Sequence, residues 1–97
     1  MKTELDVGVE AVQTFADCLM AITNPTRLKI VQYCLTPRKF SDLIFDLKLN
    51  PASLRFHSKV LTDCNLIERR ERGIYETTEL GKTILKLIER AEQISAK

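Results

Sequence analysis

The spacing of apolar residues predicts a chain of amphipathic helices that is interrupted once by a pair of short strands. Near the start, apolar side chains recur at helical spacing: Leu5, Val9, Val12, Ala16 and Leu19. Near the end, a second long stripe belongs to a helix that Thr78 can cap: Leu80, Ile84, Leu87, Ile88, Ala91 and Ile94. Between them, Leu28, Val31 and Leu35 belong to a further helix. The pattern therefore predicts a mainly α fold.

Two short helices are predicted in the middle of the chain. Phe40, Leu43, Ile44 and Leu47 recur at helical spacing, which predicts a helix over about 41–48 with Ser41 as its cap. The next helix begins at Asn50-Pro51, because Asn caps a helix and Pro fits its first position. Two helices joined by so short a turn must cross steeply, as in a helix-turn-helix.

A β-hairpin is predicted to follow these helices. Apolar and polar residues alternate over 66–70 and again over 74–77, which is typical of strands. Gly73 supplies the positive φ of the turn. An isolated hairpin is marginal in water, so this one must pack on the helices, which leaves Arg69, Arg70 and Arg72 near its outer edge.

The outer face of the helix that starts at Pro51 is the candidate nucleic-acid-binding surface. It combines small polar, apolar and cationic side chains: Ala52, Ser53, Arg55, Phe56, Lys59 and Thr62. Such groups suit base edges and phosphates in a major groove. The alternatives stay open at this point: a polar outer face is normal for any surface helix, and the hairpin arginines stand beside glutamates as solubilising charges do.

Three segments of the sequence resemble ArsR-type transcriptional regulators. Residues 24–30 look like the opening of their second helix, and residues 54–67 look like their recognition helix running into the wing. Residues 75–81 are similar to the wing exit shared with MarR-type and other winged-helix repressors. The resemblance implies a winged helix-turn-helix of about five helices and a two-stranded wing, in a dimer that binds double-stranded DNA.

Neither a metal site nor a cofactor is predicted. The paired cysteines that the resemblance would place near residues 39–43 are missing, and the last helix has no His or Cys. The three cysteines, Cys18, Cys34 and Cys64, are far apart in sequence and lie in apolar helical phases, so we expect buried free thiols. The single histidine, His57, is expected either at a DNA phosphate or in a structural hydrogen bond. With no catalytic motif, we expect no enzymatic activity.

Charge is unevenly distributed along the chain. The formal net charge of the 97 residues is only +2, but residues 1–24 sum to −3 and residues 25–97 to +5. The basic part therefore coincides with the candidate DNA-binding region. No apolar run is long enough for a membrane span and no signal-peptide pattern is visible, so we expect a cytoplasmic protein without membrane partners.

We expect a single winged helix-turn-helix domain over residues 1–97 that forms a homodimer. In this interpretation, residues 1–23 and 78–97 are dimerisation helices, 24–65 form the helix-turn-helix and 66–77 form the wing. A chain this short gains by burying apolar surface against a partner. The expected dimer contacts are Leu5, Val9, Val12, Leu19, Ile84, Leu87, Ile88 and Ala91. The alternative is that both stripes pack on the chain's own core.

The expected function is sequence-specific regulation of transcription as a homodimer bound to double-stranded DNA. No motif identifies an effector. The competing interpretation is a winged helix that docks another protein of a transcription or assembly complex, because the net charge is low for a nucleic-acid binder.

Overall fold

The computed structural model describes residues 8–96, with side chains from residue 15 onward. It contains five α-helices and three short strands, with a single 3-10 turn at Glu71–Gly73. Their order along the chain is α1 (Gly8–Ile22), α2 (Pro25–Tyr33), β1 (Arg38–Lys39), α3 (Phe40–Leu47), α4 (Pro51–Asp63), β2 (Ile67–Arg70), β3 (Ile74–Thr77) and α5 (Glu79–Ser95). The predicted mainly α winged helix-turn-helix is confirmed.

Two Asn-Pro pairs start the two helices on either side of α3. Asn24 Oδ1 accepts hydrogen bonds from the backbone amides of the first turn of α2, at 2.9 and 3.1 Å. Asn50 Oδ1 does the same for α4, at 2.8 and 3.4 Å. The proline that follows each Asn has no N–H to leave unpaired. The predicted Asn50 cap is therefore confirmed, and α4 begins at a fixed point.

The sheet has one more strand than the sequence predicted. β1 pairs antiparallel with β3, which pairs in turn with β2, so the order is β1-β3-β2. The pairing holds the backbone extended as far as Lys39, and α3 starts at Phe40. The predicted Ser41 cap is wrong: Asp42 Oδ2 accepts a hydrogen bond from the Lys39 amide at 3.0 Å instead. Strand β1 was not predicted because its two residues are too few to show an alternating pattern.

The core joins the helix-turn-helix to the base of the hairpin. Its fully buried side chains come from helices α1 to α4, the turn after α2 and the start of the hairpin: Ile22, Ile30, Val31, Cys34, Leu43, Leu54, Leu61, Leu66 and Ile67. Thr77, at the end of β3, donates its hydroxyl to the Val31 carbonyl at 2.6 Å, and its amide donates to the Cys34 carbonyl at 2.9 Å. The wing is thus fastened to α2 as well as to α4.

The junction between the wing and α5 is tightly packed. Thr78 caps α5 by accepting a hydrogen bond from the Gly81 amide at 3.0 Å, as predicted, and its hydroxyl donates to the Asn65 carbonyl at 2.6 Å. Asn65 leaves α4 with φ of 58°, a left-handed conformation that Asn tolerates. A Cβ on Gly81 would lie 2.3 Å from the Leu66 carbonyl oxygen. Only glycine allows α5 to pass so close to the base of β2.

The residues expected at a dimer interface lie in different environments. Leu5 is outside the described residues, and Val9 and Val12 lie on α1 where only the backbone is described. Leu19, Leu87 and Ala91 are exposed, and Ile88 is partly buried against the core. Ile84 is 3% exposed within the protomer's own core. Its apolar character is therefore explained by the monomer fold.

Leu19 and Leu87 are part of a larger set of exposed apolar side chains on the helices. The others on α1, on α5 and just after α2 are Phe15, Met20, Leu35 and Ile94.

Within residues 8–96, no helix is both long enough and apolar enough to span a membrane.

Candidate nucleic-acid interface

The packing of α4 fixes which of its side chains face outward. Leu54, Ser58 and Leu61 are buried and define the inner face. Because residues on a helix repeat every 3.6 positions, Ala52, Phe56 and Lys59 fall on the opposite side. All three are exposed, as is Ser53 beside them. The structure therefore presents the predicted residues of the first three turns on one accessible surface.

Arg55 lies at the side of α4 that faces the wing. Its guanidinium carbon is 5.9 Å from the centroid of the Phe40 ring, a cation–π distance. Arg55 lines a cleft with residues from the wing, namely Arg69, Gly73 and Tyr75. Among the side chains described, Arg55 makes no ion pair. Its charge is available to an incoming anion or base edge without first displacing a carboxylate.

Lys59 differs from Arg55 because it already has an acidic neighbour. Its Nζ is 3.1 Å from Asp63 Oδ2, one turn further along α4. Both side chains are well exposed, at 76% and 64%. Exposed pairs at this spacing contribute about 0.3–0.5 kcal/mol, so Lys59 can exchange Asp63 for a phosphate at little cost.

The three wing arginines, grouped together from the sequence, differ in their surroundings. Arg70 Nη2 lies 2.6 Å from Glu76 Oε1 and 3.2 Å from Glu68 Oε1. In the part of the chain with described side chains, neither Arg69 nor Arg72 forms an ion pair. The Arg70 charge is thus offset by two carboxylates, while the other two are not offset.

The sequence contained a signal for the Arg70 pairing. Residues 68 and 70 share one face of β2, and the hairpin register places Glu68 opposite Glu76. Once the register is set, Arg70 must lie diagonally across from Glu76. The register depends on the three-residue turn, where Arg72 and Gly73 adopt φ of 62° and 68°.

His57 connects α4 to α2. Arg27 Nη1 is 3.2 Å from His57 Nδ1, and Arg27 Nε donates to the Ala21 carbonyl at 2.6 Å. Since the guanidinium can only donate, Nδ1 is the acceptor. Burial, together with the Arg27 charge, lowers the pKa of His57 below its ordinary value. His57 is therefore neutral at pH 7 and has the structural role that was one of its two expected roles.

The cysteines are free thiols, but only Cys34 is fully buried. Cys64 caps the end of α4, where its half-buried thiol shares a hydrogen bond with Cys18. Burial raises the pKa of Cys34 to about 12. Burial and the hydrogen bond with Cys18 raise the pKa of Cys64 to about 12 as well. Both of these thiols are protonated at neutral pH.

Among the described residues, no three His, Cys, Asp or Glu side chains converge as metal ligands.

The chain is similar to known bacterial regulators. Residues 24–69 match the family described as bacterial regulatory protein, arsR family. No protein with a curated description matches the chain in sequence.

Several solved structures have the same fold. HlyU from Vibrio cholerae in its reduced form is 22% identical, with 84% of this chain and 92% of that chain covered, at a TM-score of 0.72. Rv0081 of M. tuberculosis is 19% identical, with 93% and 100% covered, at 0.72. An ArsR-like transcriptional regulator from Rhodococcus sp. RHA1 is 24% identical, with 91% and 85% covered, at 0.66.

Proposed function

We propose that this winged helix-turn-helix protein regulates transcription as a homodimer that binds a specific sequence of double-stranded DNA, as the match of residues 24–69 to the arsR family of bacterial regulatory proteins suggests. It acts in the cytoplasm, where bacterial DNA is accessible, and has no enzymatic activity. Residues 24–65 carry the DNA-reading helices, residues 66–77 form the wing, and residues 1–23 and 78–97 supply the dimer contacts.

The observation that carries this proposal is a pair of arginines on the two sides of one cleft, neither of which has a carboxylate partner among the described side chains. Arg55 belongs to α4 and Arg69 to β2, and both line the space beside Tyr75. A helix fits the major groove of B-DNA, and arginine is the side chain best suited to guanine and to phosphate. With α4 in the groove, Ala52, Ser53, Arg55, Phe56 and Lys59 face base edges and the nearest phosphates. Arg69, Arg70 and Arg72 then face the backbone or the adjacent minor groove.

The dimer is supported by exposed apolar side chains on the first and last helices. Leu87 is 59% exposed and Leu19 is 37% exposed, and Ala91 is exposed one turn beyond Leu87. The partly buried Ile88 extends this surface, whereas Ile84 is used by the protomer's own core. A two-fold dimer presents two copies of α4 about one DNA turn apart, which suits a pseudo-palindromic site.

A second candidate function is docking of another protein on the same surface. Phe45, on α3, is 79% exposed and lies on the helix-turn-helix as Phe56 does. Exposed aromatic side chains are enriched at protein–protein interfaces. The low net charge of +2 favours this alternative as well.

Selection from a random duplex library with the full-length protein separates the two candidates. We expect a two-fold symmetric sequence to be enriched, and its affinity to fall steeply with added salt because phosphate contacts release counterions. Failure to enrich any sequence, with no salt-dependent binding to random duplex, would favour protein docking.

Sedimentation velocity tests the dimer. Wild-type protein at micromolar concentration is expected to sediment as a dimer. Leu87→Glu should give monomers, since a carboxylate buried without a partner is unfavourable at an interface. Gln93→Glu introduces the same charge on another side of α5 and should remain dimeric. A wild-type monomer would contradict the homodimer without affecting the DNA-binding proposal.

A further inference from the structure

We propose that Phe56 recognises the C5-methyl group of a thymine in the major groove. The inference rests on the proposed function, because it assigns a target to one residue of the DNA-reading surface. Phe56 lies in the middle of the outer face of α4 and is 62% exposed. The thymine methyl is the one apolar group that a base pair presents in the major groove, and Phe is one of the side chains that contact it.

The Phe56 ring contacts the ring of the neighbouring His57. It meets the His57 ring edge-on, with centroids 5.5 Å apart and an interplanar angle of 63°. His57 is fixed in turn by Arg27, which is hydrogen bonded to the Ala21 carbonyl near the end of α1. This series of contacts limits the movement of an exposed side chain before DNA binds. The conformational entropy that the side chain loses on binding is therefore smaller.

The neighbours of Phe56 on the outer face leave space for a base edge. Ala52 precedes it by one turn and has only a methyl side chain, while Lys59 follows by three residues and is long enough to reach a phosphate. No cation or carboxylate lies between Ala52 and Phe56 along this face, since Ser53 and Arg55 fall to either side of it. The centre of the surface is therefore apolar and its edges are polar.

Replacement of thymine by deoxyuridine removes the methyl group and leaves every hydrogen-bonding group of the base pair in place. Burial of one methyl group corresponds to about 0.8 kcal/mol, so the substitution should weaken binding about fourfold in one half-site. In a two-fold site, substitution in both halves should weaken binding by about fifteenfold, because the two contacts are far enough apart to be additive.

The test uses the full-length protein and the duplex enriched from the random library, with thymines replaced one at a time by deoxyuridine. We expect one thymine in each half-site to show the fourfold effect with wild-type protein. Phe56→Ala should bind the thymine duplex more weakly and no longer distinguish thymine from uracil at that position. Phe45→Ala removes the other exposed phenyl group of the helix-turn-helix and should distinguish the two bases as the wild type does.

Failure of the Phe56 assignment and failure of the proposed function give different results. Tight binding of the selected duplex with no effect of uracil at any position would overturn the assignment of Phe56 and leave the proposed function standing. The same holds if Phe56→Ala, folded by circular dichroism, still distinguishes the two bases. Absence of any selected duplex would count against the proposed function itself.

Discussion

Helix α4 and the wing both present arginines on the surface, but Arg55 of α4 and Arg70 of the wing have different neighbours. In α4, Arg55 lies over the Phe40 ring and has no carboxylate partner among the described side chains. In the wing, Arg70 is bound by Glu68 and Glu76. Arg55 is therefore ready to bind an anion, whereas Arg70 must first exchange partners; among the described side chains of the wing, Arg69 and Arg72 resemble Arg55 in having no carboxylate partner.

Because of this difference, a chain with a small net charge can still present arginines whose charge is not offset by a neighbouring carboxylate. Not all of the positive charge near the hairpin is available to bind an anion. Glu76, with only 18% of its side chain exposed, lies beside Arg70 and offsets its charge. Among the described side chains of α4 and the wing, the arginines without a carboxylate partner are Arg55, Arg69 and Arg72. Their placement matters more than the count of charges.

The largest effect on DNA binding is expected for Arg55→Ala. Loss of a bidentate contact to guanine should cost about 1–3 kcal/mol on the selected duplex and much less on random duplex. Arg55→Lys, measured alongside, should recover little on the selected duplex because a single ammonium cannot make the bidentate contact. Equal losses on both duplexes would mean that Arg55 binds phosphate.

Arg72 is expected to have a smaller and less specific effect. Arg72→Asn removes the charge and keeps a residue that tolerates the left-handed turn. It should weaken the selected and random duplexes alike, and the slope of the salt dependence should fall by about 0.9 for each phosphate that is no longer neutralised. Fluorescence anisotropy over a series of salt concentrations gives this slope. An unchanged slope would show that Arg72 does not contact a phosphate.

Removing the negative charge of a wing carboxylate should strengthen DNA binding instead of weakening it. Glu76→Gln leaves Arg70 with one acidic neighbour instead of two, so binding to both duplexes should become tighter, because more of the Arg70 charge is left for phosphate. Glu89→Gln, on the exposed surface of α5, changes the net charge equally and serves as the control. The comparison between helix and wing fails if both variants tighten binding by the same amount.

Acid should destabilise the fold through α4, because the only histidine of the sequence, His57, lies on this helix. The pKa of His57 is lowered in the folded state, so below pH 6.5 the unfolded chain binds the proton more readily. This contribution to stability is present above pH 6.5 and is lost as pH falls through the folded pKa. Urea unfolding at several pH values should show a shallower decline for His57→Gln than for the wild type.

The sequence predicted the fold better than it predicted the surface. Helices α3 and α4 were found because Leu43 and Leu47 recur with the helical period in the first, and Leu54 and Leu61 in the second. Two helix starts were found because Asn50 and Thr78 are strong capping residues. β1 was missed because a strand of two residues depends on its partner β3. Contacts between distant residues, such as Arg27 with His57 or Cys18 with Cys64, leave no periodic signal in a single sequence.

For the candidate site as well, the sequence predicted what depends on helical periodicity and missed what depends on contacts between distant residues. The outer face of α4 followed directly from helical periodicity, so Ala52, Phe56 and Lys59 were correctly expected to be exposed. The distinction between Arg55 and Arg70 was missed, because the charges at 68, 70 and 76 indicate a pairing only when the hairpin register and the side-chain packing are also known. Ile84 was assigned to the dimer because a stripe on a helix does not show which part of it faces the protomer's own core.

The close approach at Gly81 brings α5 into direct contact with the base of the wing. With 2.3 Å between a would-be Cβ and the Leu66 oxygen, the first turn of α5 has no clearance above the base of β2. A change in the tilt of α5 at this point would therefore require the base of β2 to move with it. In a dimer of the proposed kind, the angle between the two α5 helices sets the distance between the two wings, and with it the spacing of half-sites that the protein can span.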